Sequence, residues 1–109
     1  MNLPSLQLDP QSAAAALRAG GCVLLDVREA HEVARLAYDM PGVLCVPLSE
    51  LERRHAELPQ DQDVILACAA GGRSMQAMQY LLNKGHQRVR NLSGGMGAWR
   101  TRGLPVREG

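Results

Sequence analysis

The feature that most limits the fold of this chain is the alternation of short, almost purely apolar runs with segments of helical pattern. The run Cys22–Val27, for example, contains a single polar residue, Asp26. Continuous apolar runs of this length are typical of strands that are covered on both faces of a parallel sheet. The predicted strands are a short one at Leu6–Leu8, followed by Cys22–Val27, Val43–Val46, Val64–Ala67 and Arg88–Leu92.

Helical segments fill the intervals between these strands. Asp9 and Pro10 have the residue types of a helix N-cap and first helical position, and Met75, Met78 and Leu82 are spaced as one buried helical stripe. The predicted helices cover Gln11–Ala19, Glu29–Ala37, a segment between Ser49 and Pro59, a segment beginning near Arg73, and Gly94–Arg102. This alternation predicts an α/β fold with an open parallel five-stranded sheet and helices on both faces.

Length, charge and composition exclude several classes of protein. The 109 residues suit one domain, so we expect residues 1–109 to form a single domain. Twelve Lys and Arg against eleven Asp and Glu give a formal charge of +1, and there is no Phe, which argues against a nucleic-acid partner. No apolar run reaches the ~18–20 residues that cross a bilayer, so we expect a cytoplasmic protein with no membrane partner.

The cysteines do not form a disulfide framework. Cys22, Cys45 and Cys68 are odd in number, widely spaced and without a CxxC pair. Cys22 and Cys45 fall inside apolar runs, where packing is the favoured role, although either is an alternative disulfide partner for Cys68. Because no close ligand pair joins these cysteines with the histidines, we expect neither a metal nor a cofactor.

Cys68 is the candidate functional residue, because it stands where a buried strand passes into a helix. Ligands in open parallel sheets bind beyond the carboxyl ends of the strands. Small residues and two glycines follow Cys68 and allow the backbone N–H groups to converge on one point. The candidate anion-binding loop consists of Ala69, Ala70, Gly71, Gly72, Arg73 and Ser74.

The surroundings of this loop should favour the thiolate of Cys68. The converging N–H groups, the helix N-terminus and the Arg73 guanidinium all contribute positive potential. Such surroundings lower a cysteine pKa from ~8.5 toward ~3.5–7.5 and make the sulfur a nucleophile near neutral pH. No histidine is then required as a base.

The run from Cys68 to Ser74 resembles the active-site loop of the rhodanese family of sulfurtransferases. Further similarity covers nearly the whole chain. It comprises Leu25-Asp26-Val27-Arg28-Glu29, Pro41-Gly42 with Val46-Pro47-Leu48 and Glu50-Leu51, Leu92-Ser93-Gly94-Gly95-Met96 with Ala98-Trp99, and Gly103-Leu104-Pro105-Val106. One departure is Tyr38-Asp39-Met40, where the family usually has Gly-His-Ile before Pro-Gly.

The resemblance implies a rhodanese-like fold and thiosulfate sulfurtransferase activity through a Cys68 persulfide. Cys68 would take a sulfane sulfur from thiosulfate or a similar anion and pass it to cyanide or a thiol, with a protein thiol as a possible acceptor. Loop N–H groups from Ala69 to Ser74 would hold the persulfide and Arg73 would orient anionic donors. Asp26 and Arg28 would support the loop or the pocket wall.

Two other functions remain as alternatives. The first is a sulfur-delivery or interaction module that acts on a protein partner and has little activity on free thiosulfate. The second is a cysteine phosphatase or arsenate reductase, which the short interval between Cys68 and Arg73 disfavours because related phosphatases have a longer loop. The role of the Gly94-Gly95 pair is also open, since it could allow a close approach to the Cys68 loop or simply begin the last helix.

Overall fold

A computed structural model describes residues 6–109. The strands in this range are β1 Gln7–Leu8, β2 Cys22–Asp26, β3 Leu36–Tyr38, β4 Val43–Cys45, β5 Asp63–Ala67, β6 Val89–Leu92 and β7 Val106–Glu108. The main sheet has five parallel strands in the order β1-β6-β5-β2-β4. A second sheet of two antiparallel strands pairs β3 with β7.

Helices cover both faces of the main sheet, which confirms the predicted fold class. The first helix begins at an N-cap, Asp9, whose side chain accepts a hydrogen bond from the Ser12 N–H at 2.8 Å. The helices are α1 Pro10–Ala19, α2 Ala30–Arg35, α3 Leu48–Arg54 with a 3₁₀ turn at His55–Glu57, α4 Gly72–Asn83 and α5 Gly95–Thr101.

The two central strands, β2 and β5, divide the core into two halves. Their apolar side chains point alternately to opposite faces of the sheet. On one face, Leu25 and Leu66 pack with residues of α3 and α4. On the other face, Leu24 and Ile65 pack with residues of α1 and α5. The in-register pairing of Asp26 with Ala67 brings the ends of β2 and β5 together directly before Cys68.

The predicted helix Glu29–Ala37 is wrong at its C-terminal end. Helix α2 ends at Arg35, and the chain continues as strand β3, which pairs with β7. The apolar spacing of this segment fits a helix, but the pairing partner is a segment distant in sequence. Tertiary pairing therefore overrides the local helical pattern.

Two predictions of burial are also wrong. Met75 is 38% exposed, because the face of α4 that meets the sheet carries Ser74, Ala77, Met78 and Leu81. Cys45 is exposed as well, because β4 is an edge strand and not a strand covered on both faces. A run of apolar residues predicts a strand but does not fix its position in the sheet.

Candidate active site

The Cys68 loop connects the end of β5 with the first turn of α4 at the carboxyl edge of the sheet. Cys68 is buried, with 1% of its surface exposed, whereas Ala69 and Ala70 are exposed. Gly71 has a φ of +108°, a left-handed conformation that favours glycine. This residue turns the chain so that the loop folds back over the sulfur of Cys68.

Hydrogen bonds converge on the Cys68 Sγ atom. The N–H of Gly71 donates to it at 3.0 Å and the N–H of Ser74 donates to it at 3.3 Å. The Ser74 Oγ atom lies 3.3 Å from the same sulfur, as a partner for the thiol S–H or as a donor to the thiolate. The N–H groups of the loop therefore converge on the sulfur, whereas the binding of an anion by this loop stays a prediction.

These contacts determine the direction of the Cys68 pKa. Burial raises the pKa of the thiol, but hydrogen bonds from Ser74, Gly71 and Ala70 stabilise the thiolate. The net effect is a pKa below the ordinary value of a cysteine. The loop thus combines a sheltered sulfur with donors that favour its anionic form.

The carbonyl oxygen of Cys68 is held by groups from two other parts of the fold. The Tyr38 hydroxyl donates to it at 2.8 Å, and so does the Met96 N–H, also at 2.8 Å. The next carbonyl, that of Ala69, accepts from the Gly97 N–H at 3.1 Å. The first turn of α5 therefore fixes the backbone on which the candidate nucleophile stands.

Gly95 makes this contact between α5 and the loop possible. A Cβ atom at this position would clash with the carbonyl oxygen of Cys68 and would lie 2.8 Å from the carbonyl carbon of Ala69. Gly95 also has a φ of +55°. Of the two open interpretations of the Gly94-Gly95 pair, the structure supports a close approach to the Cys68 loop.

Asp26 and Arg28 form a buried ion pair behind the loop. Asp26 is 0% exposed and Arg28 is 4% exposed, and an Arg28 N–H donates to the Asp26 carboxylate at 2.7 Å. The Arg28 guanidinium also donates to the Leu36 carbonyl at 2.9 Å and lies 5.4 Å from the centre of the Tyr38 ring. Tyr38 in turn donates a hydrogen bond to the Cys68 carbonyl oxygen, so the ion pair contacts a residue that holds the loop. The supporting role of Asp26 and Arg28 stays a prediction.

Arg73 is paired with a residue that the sequence did not single out. Its two terminal nitrogens donate to the two carboxylate oxygens of Glu32 at 2.7 and 2.8 Å. The Arg73 side chain is 36% exposed and that of Glu32 is 28% exposed. The role of Arg73 in orienting donors stays a prediction. Glu32 bears on that role, because its carboxylate holds the Arg73 guanidinium.

Two residues of this site were missed by the sequence interpretation, namely Tyr38 and Glu32. The only signal for Tyr38 was its place in the departing segment Tyr38-Asp39-Met40. Here a buried tyrosine contacts the Cys68 backbone, and its ring packs edge-on against Trp99 with centroids 5.3 Å apart. Glu32 and Arg73 are too distant in sequence for a local pattern to connect them.

The other cysteines stand apart from Cys68. All three cysteines are free thiols, Cys22 is half-buried and Cys45 is exposed. Partial desolvation of the sulfur raises the pKa of the Cys22 thiol and of the Cys45 thiol, which is opposite to the shift at Cys68.

Within residues 6–109 no group of three His, Cys, Asp or Glu side chains is placed to hold a metal ion. No helix in this range combines the length and the apolar character that crossing a bilayer requires.

Comparison with known proteins identifies the family. The profile of the rhodanese-like domain matches residues 9–102. A sulfurtransferase of Allochromatium vinosum is 40% identical over 84 residues, which cover 77% of each chain. Thiosulfate sulfurtransferase GlpE of Actinobacillus pleuropneumoniae is 30% identical over 101 residues, covering 92% of this chain and 91% of that protein. A rhodanese-related protein of Thermoplasma volcanium has a similar structure, with a TM-score of 0.83 at 26% identity, covering 93% of this chain and 96% of that one. The resemblance noted in the sequence is thus confirmed, and the chain belongs to the rhodanese-like sulfurtransferase family.

Proposed function

We propose that this protein is an enzyme that transfers a sulfane sulfur from thiosulfate or a similar anion to cyanide or a thiol, through a persulfide on Cys68. The observation that carries the proposal is the convergence of the Gly71 and Ser74 N–H groups on the Cys68 Sγ atom. Such donors stabilise a thiolate in the resting enzyme and negative charge on a persulfide after the first half of the reaction.

In the first half-reaction the Cys68 thiolate attacks the outer sulfur of thiosulfate. A bond forms between Sγ and that sulfur, and the bond between the two sulfurs of thiosulfate breaks. Its electron pair leaves on sulfite, so a thiolate and a dianion become a persulfide anion and the sulfite dianion. No proton is transferred, which is consistent with a site that needs no general base once the thiol is ionised.

In the second half-reaction a nucleophile takes the terminal sulfur from Cys68. Cyanide attacks this sulfur, the persulfide S–S bond breaks, and its electron pair returns to Sγ as the thiolate. The product is thiocyanate, whereas a thiolate acceptor gives a new persulfide. A protein thiol is a further acceptor, since Ala69 and Ala70 are exposed and carry only small side chains at that part of the loop.

The remaining site residues are assigned supporting roles. The N–H groups between Ala69 and Ser74 hold the transferred sulfur, and Arg73, held by Glu32, orients the anionic donor. Asp26 and Arg28 keep Tyr38, and through it the Cys68 backbone, in position. None of these groups forms a covalent bond during the reaction.

The experiment is to incubate the protein with thiosulfate and measure its intact mass and peptide masses. We expect one added sulfur on Cys68 and its release as thiocyanate when cyanide is added. Cys68→Ser should take up no sulfur. Cys45→Ser is the matched control, because it removes an exposed thiol and should leave the modification intact. A folded wild-type protein that gains no sulfur from any donor would refute the proposal.

A further inference from the structure

Glu32 and Arg73 form an ion pair at the edge of the Cys68 loop. The two parallel hydrogen bonds of 2.7 and 2.8 Å give the bidentate geometry that makes arginine–carboxylate pairs strong. Glu32 is fixed further by the Glu29 N–H, which donates to its Oε1 atom at 2.9 Å. Helix α2 therefore presents a positioned carboxylate to the guanidinium of Arg73, which lies in the first turn of α4, directly after the Cys68 loop.

The Glu32 carboxylate stays ionised throughout the neutral range. The hydrogen bonds from Arg73 are the main cause that lowers the pKa of Glu32, to about 2. Its negative charge is therefore permanent under assay conditions. This charge compensates the positive charge of Arg73, the residue that the sequence analysis expects to orient the donor.

The second guanidinium of the site is compensated as well. Arg28 is buried against Asp26, so its charge is neutralised by a carboxylate at 2.7 Å. The charges within each of the two ion pairs, Asp26–Arg28 and Glu32–Arg73, sum to zero. An ionised Cys68 therefore gives these five groups together a net charge of about one negative unit. What the site still offers an incoming anion is mainly the uncharged N–H groups of the loop, and a dianion is repelled more than a monoanion.

We propose that Glu32 is a specificity-determining residue that, by neutralising Arg73, makes the site prefer sulfur donors with a single negative charge over dianions such as thiosulfate. This inference rests on the proposed function of Cys68. It names the donor class as monoanionic sulfane-sulfur compounds, such as persulfides of thiols and alkanethiosulfonates. Glu32 acts through Arg73 and is a positioning residue, not a catalytic one.

The test compares two donors that differ by one charge but share the same reacting sulfur. Thiosulfate carries two negative charges, and methanethiosulfonate carries one because a methyl group replaces an oxygen. With the second donor, the Cys68 thiolate and the monoanion give a persulfide anion and methanesulfinate, so charge and electrons balance. The measured quantity is kcat/KM for thiosulfate divided by kcat/KM for methanethiosulfonate, a ratio in which a general loss of active protein cancels.

In Glu32→Gln we expect this ratio to rise on the order of tenfold at low ionic strength, since one unit of negative charge near the donor is removed. The difference from wild type should shrink as salt is added, because salt screens charges but not packing. Glu57→Gln is the matched control. Glu57 also forms a bidentate pair, with Arg54, at 3.0 and 3.1 Å, and its loss should leave the ratio unchanged.

A second measurement needs no variant. In the wild-type protein the ratio should rise with ionic strength, because screening relieves the greater repulsion of the dianion. A ratio that falls with salt, or that is unchanged or lower in Glu32→Gln, would overturn the inference while leaving the Cys68 persulfide in place. Absence of any Cys68 persulfide with both donors would overturn this inference and the proposed function together.

Discussion

The hydroxyl of Tyr38 donates a hydrogen bond of 2.8 Å to the carbonyl oxygen of Cys68. This bond links the small antiparallel sheet to the backbone of the candidate nucleophile, over a sequence separation of 30 residues. Tyr38 is 2% exposed and packs between Arg28 and Trp99. A residue outside the loop therefore helps to set the position of the reactive sulfur.

Removing this hydroxyl tests the link. We expect Tyr38→Phe to lower the free energy of unfolding by about 1–2 kcal/mol, because a buried hydrogen bond is lost while Met96 still donates to the same oxygen. Chemical denaturation measures this change. Tyr80→Phe is the control, since within residues 6–109 the Tyr80 hydroxyl forms no hydrogen bond, and an equal loss in both variants would contradict the assignment.

The close contact at Gly95 gives a second prediction. Gly95→Ala should reduce the free energy of unfolding by about 2–4 kcal/mol, because a positive φ is strained for alanine and the new Cβ meets the Cys68 and Ala69 carbonyls. Gly103 also has a positive φ, +69°, but a Cβ atom added there would have no neighbour within 4 Å. Gly103→Ala should therefore reduce the free energy of unfolding by only about 1 kcal/mol. Equal values in thermal or chemical unfolding would show that contact with the loop is unimportant.

The buried ion pair gives a third prediction. Asp26→Asn should destabilise the fold by about 3 kcal/mol, since it leaves the Arg28 charge buried without its partner. The double variant Asp26→Asn with Arg28→Met should recover most of this loss, because the unpaired charge is then removed as well. Denaturation of the wild type, both single variants and the double variant measures the coupling. Additive losses would contradict the energetic coupling of Asp26 and Arg28 that the ion pair predicts.

Ser74 gives a prediction about pH. Because the Ser74 hydroxyl contacts Sγ and favours the thiolate, Ser74→Ala should raise the pKa of Cys68. The rate of persulfide formation, measured at low donor concentration, rises with pH as the thiol ionises. Its midpoint should therefore move to higher pH in the variant. Ser12→Ala, which removes a hydroxyl bonded to Asp9, should leave the midpoint in place. An unshifted midpoint in Ser74→Ala would assign the stabilisation of the thiolate to other groups.

The sequence predicted the central strands and the Cys68 loop because both depend on local composition. Buried strands such as β5 need a continuous apolar run. The loop turns back over the sulfur through a positive φ at position 71, a conformation that favours glycine. The predictions failed where a partner distant in sequence decides the structure. Strand β3 exists because β7 pairs with it. Cys45 is exposed because, within residues 6–109, β4 lies at the edge of the main sheet and pairs with β2 alone.

The same reason explains the unforeseen part of the site. Arg73 was expected to face an anionic donor, whereas in the structure it faces Glu32, which lies 41 positions earlier in the chain. The N–H donors around Cys68 were foreseeable because they belong to the loop itself. Charge compensation from another helix leaves no local pattern, so the balance of charge at the site required the three-dimensional structure.

The most direct test of the central claim is a titration of Cys68 in the Cys22→Ser, Cys45→Ser variant, which retains one thiol. Ultraviolet absorbance of the thiolate against pH gives the pKa without any substrate. If the N–H groups of Gly71 and Ser74 stabilise the anion, the pKa of Cys68 lies below that of an ordinary cysteine. A pKa at or above the ordinary value, in a folded protein, would mean that burial outweighs these donors and would contradict the account.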